Sequence, residues 1–142
     1  MVMRDPSSVL AAALSARRGS YAPYSRFSVG AALLGRDGRF YTGANVENAS
    51  YGLSMCAERV ALFAAVAAGQ RAFEAIAIAG PDGVTTTPCG ACRQALAEFG
   101  LHIRIIYQDQ GVIKMIPLRE MLPEAFTVQV LNEADNSERG SR

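Results

Sequence analysis

All three cysteines of this 142-residue chain fall in two short segments, Cys56-Ala57-Glu58-Arg59 and Pro88-Cys89-Gly90-Ala91-Cys92. The single histidine, His102, lies outside both, after Phe99-Gly100-Leu101. Three thiolates can hold one Zn²⁺ and leave its fourth position to water, whereas a structural zinc normally closes with four protein ligands. Glu58, two residues after Cys56, is placed to move protons for such a water. Residue types and spacing together point to hydrolysis at a zinc ion.

The placement of the cysteines strengthens that reading. Cys89 and Cys92 are three apart at a predicted helix start, so they share one face, and Pro88 before them fits a helix entry. The positive end of the helix dipole favours thiolate there. Cys56 opens a second helix in the same way. In a regular helix Cys56 and Glu58 would point about 200° apart, so both reach the metal only if Cys56 occupies the irregular first turn. Three thiolates on Zn²⁺ carry a net negative charge, and Arg59 is the expected donor to the sulfurs. Taken alone, C-x-x-C also fits a redox pair or part of a structural zinc site, and a catalytically silent zinc module stays open. His102 reads as a surface residue at a strand start.

The elements that must hold these segments follow from periodicity and turn residues. Asp5-Pro6 is a helix start, with Val9, Leu10, Ala13 and Leu14 at helical spacing over roughly 6–18. Arg17-Arg18 suits that helix's last turn. Residues 27–34 read as a strand, Arg36-Asp37-Gly38 as a turn and 39–42 as the return strand of a hairpin. The polar segment 43–51 has no clean period and lies where binding residues tend to sit. Residues 56–68 read as a helix ended by Gly69, and 73–79 as a strand buried on both faces. Helix 89–99, strands 103–107 and 112–116, and a short helix over 118–125 interrupted by Pro123 complete the order. This pattern predicts an α/β domain with a mixed sheet between helices. Residues 1–131 are expected to form it, and the polar tail 132–142 is expected to be disordered.

Composition narrows the partners. A net charge of +1 provides no electrostatic footprint for nucleic acid or an anionic membrane. The N-terminus carries no apolar segment of signal-peptide type, and the longest helical apolar run, near 60–68, is too short to cross a bilayer. Three cysteines in such a chain fit reduced thiols and a cytoplasmic location.

The C-x-E and P-C-x-x-C arrangement is that of zinc nucleoside and nucleobase deaminases. Beyond it, residues 21–33, 43–53, 56–59, 88–94 and 122–126 resemble, in order, the small cytidine deaminases, so the resemblance spans about residues 6–127. It implies a three-layer sandwich around a five-stranded mixed sheet. It also implies a homotetramer with shared active sites that hydrolyses cytidine and 2′-deoxycytidine to uridine, 2′-deoxyuridine and ammonia in pyrimidine salvage. By the family pattern Cys56, Cys89 and Cys92 hold zinc, Glu58 shuttles protons and Arg59 stands beside the thiolates. Asn45 and Glu47 match the sugar-binding positions, Phe27 the aromatic packing near the nucleoside, and the Ala57 backbone N–H the donor to the base carbonyl. The Thr87-Pro88 region lies by the departing amine. Ala49, Tyr51 and Phe126 match residues that reach into a neighbouring subunit's site. Read from pattern alone, Phe27 and Phe126 would be core residues, Asn45 a turn residue and Glu47 a solvated carboxylate.

Overall fold

The computed structural model describes residues 5–140. Residues 1–4 and 141–142 lie outside it, and with them the first residues of the expected domain and the last two of the expected tail. The elements in chain order are α1 (Pro6–Ala16), β1 (Gly30–Gly35), β2 (Phe40–Ala44), α2 (Ala57–Ala67), β3 (Phe73–Ala79), α3 (Gly90–Ala97), β4 (Arg104–Asp109), β5 (Val112–Pro117), α4 (Leu118–Met121) and α5 (Val128–Gly140). The Asp5 carboxylate caps α1 by accepting the Ser7 N–H at 2.9 Å, with Pro6 just inside.

The five strands form one sheet in the order β2-β1-β3-β4-β5. Only β3 and β4 are parallel. A parallel pair needs a crossover connection, and α3 supplies it, which fixes the two loops flanking α3 at opposite ends of the sheet. Strand β3 sits at the centre, with every residue but Glu74 buried, as its unbroken apolar sequence predicts. Alternation divides the core in two. Ala32, Leu34, Ala75, Ala77 and Ile106 meet Val9, Leu10 and Ala13 of α1 on one face. Leu33, Ile76, Ile78 and Ile105 meet Ala61, Leu62 and Ala65 of α2, Leu96 of α3 and Leu118 of α4 on the other. The result is the expected three-layer sandwich. Each such leucine or isoleucine, no more than 4% exposed, contributes on the order of 1.5–3 kcal/mol.

Three expectations are corrected. The first strand begins at Gly30, not at Phe27. Residues 27–29 bond instead to the Asn45 side chain, whose Oδ1 accepts the Val29 N–H at 2.9 Å and whose Nδ2 donates to the Phe27 carbonyl at 2.7 Å. A side chain distant in sequence takes these backbone groups in place of a regular ladder, with only the Val29 carbonyl still accepting a backbone N–H, that of Asn45, at 3.1 Å. The tail expected to be disordered from residue 132 is helical up to residue 140, as part of α5. No proline interrupts it, and an Asp135–Arg139 pair at 3.0 Å supports it in the favourable i,i+4 order. The short helix after β5 is also briefer than expected and ends at Met121, ahead of Pro123.

One close approach sets where α2 starts. A Cβ on Gly43 of β2 would lie 2.5 Å from the Ala61 nitrogen and 2.7 Å from the Ala57 oxygen, both backbone atoms of α2. Because Cys56 caps this helix, Gly43→Ala should cost roughly 1–3 kcal/mol and displace a sulfur ligand. Chemical denaturation and zinc stoichiometry at limiting zinc check this. Unchanged stability together with full zinc loading would contradict it.

Candidate metal centre and substrate cavity

Cys56 and Cys89 are each the residue before a helix, with extended backbone (φ −72° and −67°), so neither is bound to helical spacing. Cys92 lies one turn into α3 and is buried. The N-termini of α2 and α3 converge, and the three Sγ atoms all lie within 4.8 Å of one another. The Cys56 and Cys89 sulfurs are 3.8 Å apart. Four ligands arranged tetrahedrally around zinc at Zn–S bonds of about 2.3 Å put sulfurs about 3.8 Å apart. The donor set therefore fits a zinc ion in chemistry and in spacing.

The surroundings favour thiolate. Cys56 is pulled down to about 5, first by the Cys92 S–H it accepts and then by Arg59. The same contact and burial push Cys92 up, so the cluster without metal keeps a proton that zinc would displace. Arg59 Nη2 donates to the Cys56 sulfur at 3.6 Å. Its Nε is the only buried side-chain nitrogen or oxygen without a hydrogen-bond partner among the described residues. A guanidinium committed to this place, with a donor to spare, offsets the negative charge of the sulfurs.

Glu58 is 5% exposed, a buried carboxyl one helical residue inside α2. Burial pushes its pKa above the usual glutamate range, the negative Cys56 adds to this, and Cys92 and Arg59 pull the other way. Its carboxyl and the Cys56 and Cys89 side chains line a cavity of about 280 Å³, together with Phe27, Asn45, Glu47 and Ala57. Glu47 is held as a carboxylate by the Ser25 hydroxyl and by N–H groups of Ser25 and Tyr24 at 3.1 and 3.0 Å. A carboxylate offers about four acceptor sites, so this leaves capacity for a ligand hydroxyl. Asn45 spends its oxygen and one N–H on residues 27–29 and thereby shapes the cavity wall.

Three predicted residues lie elsewhere. Ala49, Tyr51 and Phe126 do not line this cavity, and Tyr51 and Phe126 are 74% and 59% exposed. Tyr51 packs edge-on against Tyr24 and borders an adjoining hollow of about 420 Å³ that shares Ser25 and Glu47 with the first. His102 is exposed, as its sequence context suggests. The sequence reading passed over Ser25, Val29 and Thr86 in the cavity wall. It also missed two arginines that position the site. Arg17, read as a helix-end charge, donates to the Gly80 carbonyl at 2.7 Å and so ties α1 to the loop leading to Cys89. Arg93 donates to the carbonyls of Pro88 and Met121, each at 2.8 Å. An arginine next to a cysteine motif is the only sequence signal for the latter.

Residues 3–108 match the family model described as the cytidine and deoxycytidylate deaminase zinc-binding region. The chain belongs to this family. It is 48% identical over 131 residues to the cytidine deaminase of Halalkalibacterium halodurans, covering 91% of this chain and 99% of that one. The probable cytidine deaminase of Dictyostelium discoideum is 40% identical over 131 residues, covering 90% and 88%. Among solved structures, the cytidine deaminase of Burkholderia pseudomallei superposes with a TM-score of 0.81 at 46% identity and covers 88% of this chain and all of that one. The enzyme of Mycobacterium tuberculosis reaches 0.79 at 42%, covering 87% and 98%. A zinc-binding family and a three-sulfur cluster of zinc dimensions agree.

The raised pKa of Glu58 has a consequence for stability. A carboxyl whose folded pKa lies above its unfolded value stabilises the fold in its protonated form, and that contribution is lost as pH rises through the folded pKa. Zinc-free protein should therefore lose stability relative to its Glu58→Gln variant as pH climbs from about 4.5 toward neutrality. Paired urea melts at several pH values, both proteins stripped of metal, measure this. A difference independent of pH would contradict it.

Proposed function

We propose that this chain is a zinc-dependent cytidine deaminase, hydrolysing cytidine and 2′-deoxycytidine to uridine and 2′-deoxyuridine with release of ammonia. The observation that carries the proposal is the buried carboxyl of Glu58 at the base of a cavity that also holds two zinc-ligand sulfurs and a hydroxyl-binding wall. Zinc, when bound, supplies a Lewis acid that makes a water nucleophilic at neutral pH. Glu58 takes a proton from the attacking water and delivers it to N3 of cytosine as C4 becomes tetrahedral. It then carries the proton of the new C4 hydroxyl to the amino nitrogen, so that the C4–N bond breaks, ammonia leaves and the C4 carbonyl forms. Its raised pKa suits a group that must both accept and return a proton near neutrality.

The remaining residues bind. The Ala57 N–H stands at the first helical residue of α2, where backbone donors have no intrahelical partner, and is assigned to the base carbonyl. Glu47 and Asn45 receive the sugar hydroxyl, Phe27 packs beside the nucleoside, and Thr87-Pro88 border the departing amine. A cavity of about 280 Å³ is near the lower end for small-molecule sites, which suits a free nucleoside better than a polynucleotide. The net charge of +1 supports the same choice. Ala49, Tyr51 and Phe126 are exposed in one chain, as a contribution to a neighbour's cavity requires, and this supports a homotetramer with shared sites. No helix among the described residues is long and apolar enough to cross a membrane. We place the enzyme in the cytoplasm, in pyrimidine salvage, with residues 1–131 as its single domain.

Glu58→Gln should keep zinc while cytidine turnover falls by at least about 10²–10⁴-fold, the range of acid–base catalysis. Ammonia release from cytidine, with metal content measured on the same samples, checks this. Near-normal turnover in the variant would remove Glu58 from the chemistry. Turnover of single-stranded oligonucleotides above that of cytidine would overturn the substrate assignment.

A further inference from the structure

Residues 22–26 make a single helical turn beside the substrate cavity. The Arg26 N–H donates to the Ala22 carbonyl at 3.0 Å, and Arg26 itself is left-handed, with φ 58°. Helices commonly end in this way, through one bond from a left-handed residue to the carbonyl four before it, and glycine normally takes the position. A residue with a Cβ pays for that conformation, so an arginine there is held by its surroundings.

The hold comes from both sides. Before Arg26, Glu47 Oε1 accepts the N–H groups of Tyr24 and Ser25 at 3.0 and 3.1 Å. After it, the Phe27 N–H donates to the Ser25 hydroxyl at 3.0 Å, and the Phe27 carbonyl accepts Asn45 Nδ2 at 2.7 Å. The Ser25 hydroxyl in turn donates to the Glu47 carboxylate. One hydroxyl thus links the residue assigned to the sugar with the residue assigned to packing beside the nucleoside. Tyr21 ties the start of the segment to the same strip of chain, donating to the Asn45 carbonyl at 2.9 Å and accepting the Glu47 N–H at 2.8 Å. Ser25 and Phe27 both line the catalytic cavity. The Arg26 side chain lies between them in sequence, yet it is exposed and lines neither that cavity nor the adjoining hollow. It forms no ion pair with any described residue.

We infer that Ser25 and Arg26 are positioning residues for the substrate site. The left-handed backbone of Arg26 and the hydroxyl of Ser25 fix where Phe27 and the Glu47 carboxylate stand, and the Arg26 guanidinium is dispensable. This rests on the cytidine deaminase reading given above. A turn set before the substrate arrives spares the cost of ordering it on binding. Phe27 and Glu47 hold the nucleoside away from the reacting atoms, so a loosened turn is felt in KM and not in the proton transfers of Glu58.

Arg26→Asn and Arg26→Val separate backbone from side chain. Both remove the charge, but asparagine enters the left-handed region readily and valine does not. Arg26→Val and Ser25→Ala should raise KM for cytidine roughly tenfold with kcat within about twofold, and Arg26→Asn should leave both within about twofold. All three should keep their zinc. Amide hydrogen exchange without substrate supplies a second readout. The Phe27 amide should exchange about tenfold faster in Arg26→Val and Ser25→Ala and at the unmodified rate in Arg26→Asn. Equal rises in KM for the asparagine and valine variants would give the guanidinium the role and overturn the inference. An unchanged KM in Arg26→Val or Ser25→Ala, or a fall in kcat as large as the rise in KM, would overturn it too. If the unmodified protein left cytidine untouched, the functional reading would fail by itself. Exchange would then decide the turn, and equal Phe27 rates in the asparagine and valine variants would overturn its assignment.

Discussion

The structure is built around three crowded sulfurs that share a proton without metal and that a bound cation would hold as thiolates. Three sulfurs are held within 4.8 Å of one another at the meeting point of two helix N-termini. Helix dipoles and Arg59 lower the cost of making them anionic, but in so small a volume all three can ionise together only with a metal to bind them. Helices, sheet order and loop anchors all act on this point. Strand β3 feeds the loop to Cys89, Gly43 lets α2 settle close enough to bring Cys56, and Arg17 and Arg93 hold the connecting backbone.

Glu58 is the second tension in the design. Burying a carboxyl costs stability, since its charged form loses water and faces a neighbouring thiolate. Nothing about the core needs an acid there. In the proposed reaction the same burial makes the group useful, because a carboxyl whose pKa is raised holds a proton more readily and so can both take one and return it. Asn45 resolves a smaller conflict of this kind. It gives up much of its hydrogen-bonding capacity to detach residues 27–29 from β1, and that detachment opens the wall where a nucleoside would lie.

Much of this was legible in the residues themselves. Cys56 and Cys89 stand before helix starts, as dipole and spacing arguments require, and β3 announces itself by an unbroken apolar run. The hairpin turn at Arg36-Asp37-Gly38 was readable because Gly38 supplies the positive φ (82°) the turn needs. What stayed hidden depended on partners distant in sequence. Phe27-Ser28-Val29 looks like a strand until Asn45, 16 residues past Val29, takes its hydrogen bonds. Arg17 reads as a helix-end charge until the fold brings Gly80 to it, 63 residues away. The tail misled in the opposite direction. Its polar composition suggested disorder, while its helix formers and the Asp135–Arg139 pair carry a local preference that composition does not register.

The account turns on the number of sulfurs around the metal, and zinc K-edge X-ray absorption on the purified protein counts them directly. It predicts one zinc per chain with three sulfurs at about 2.3 Å and one oxygen at about 2.0 Å. A shell with two sulfurs or fewer, or protein that takes up no zinc, would contradict it.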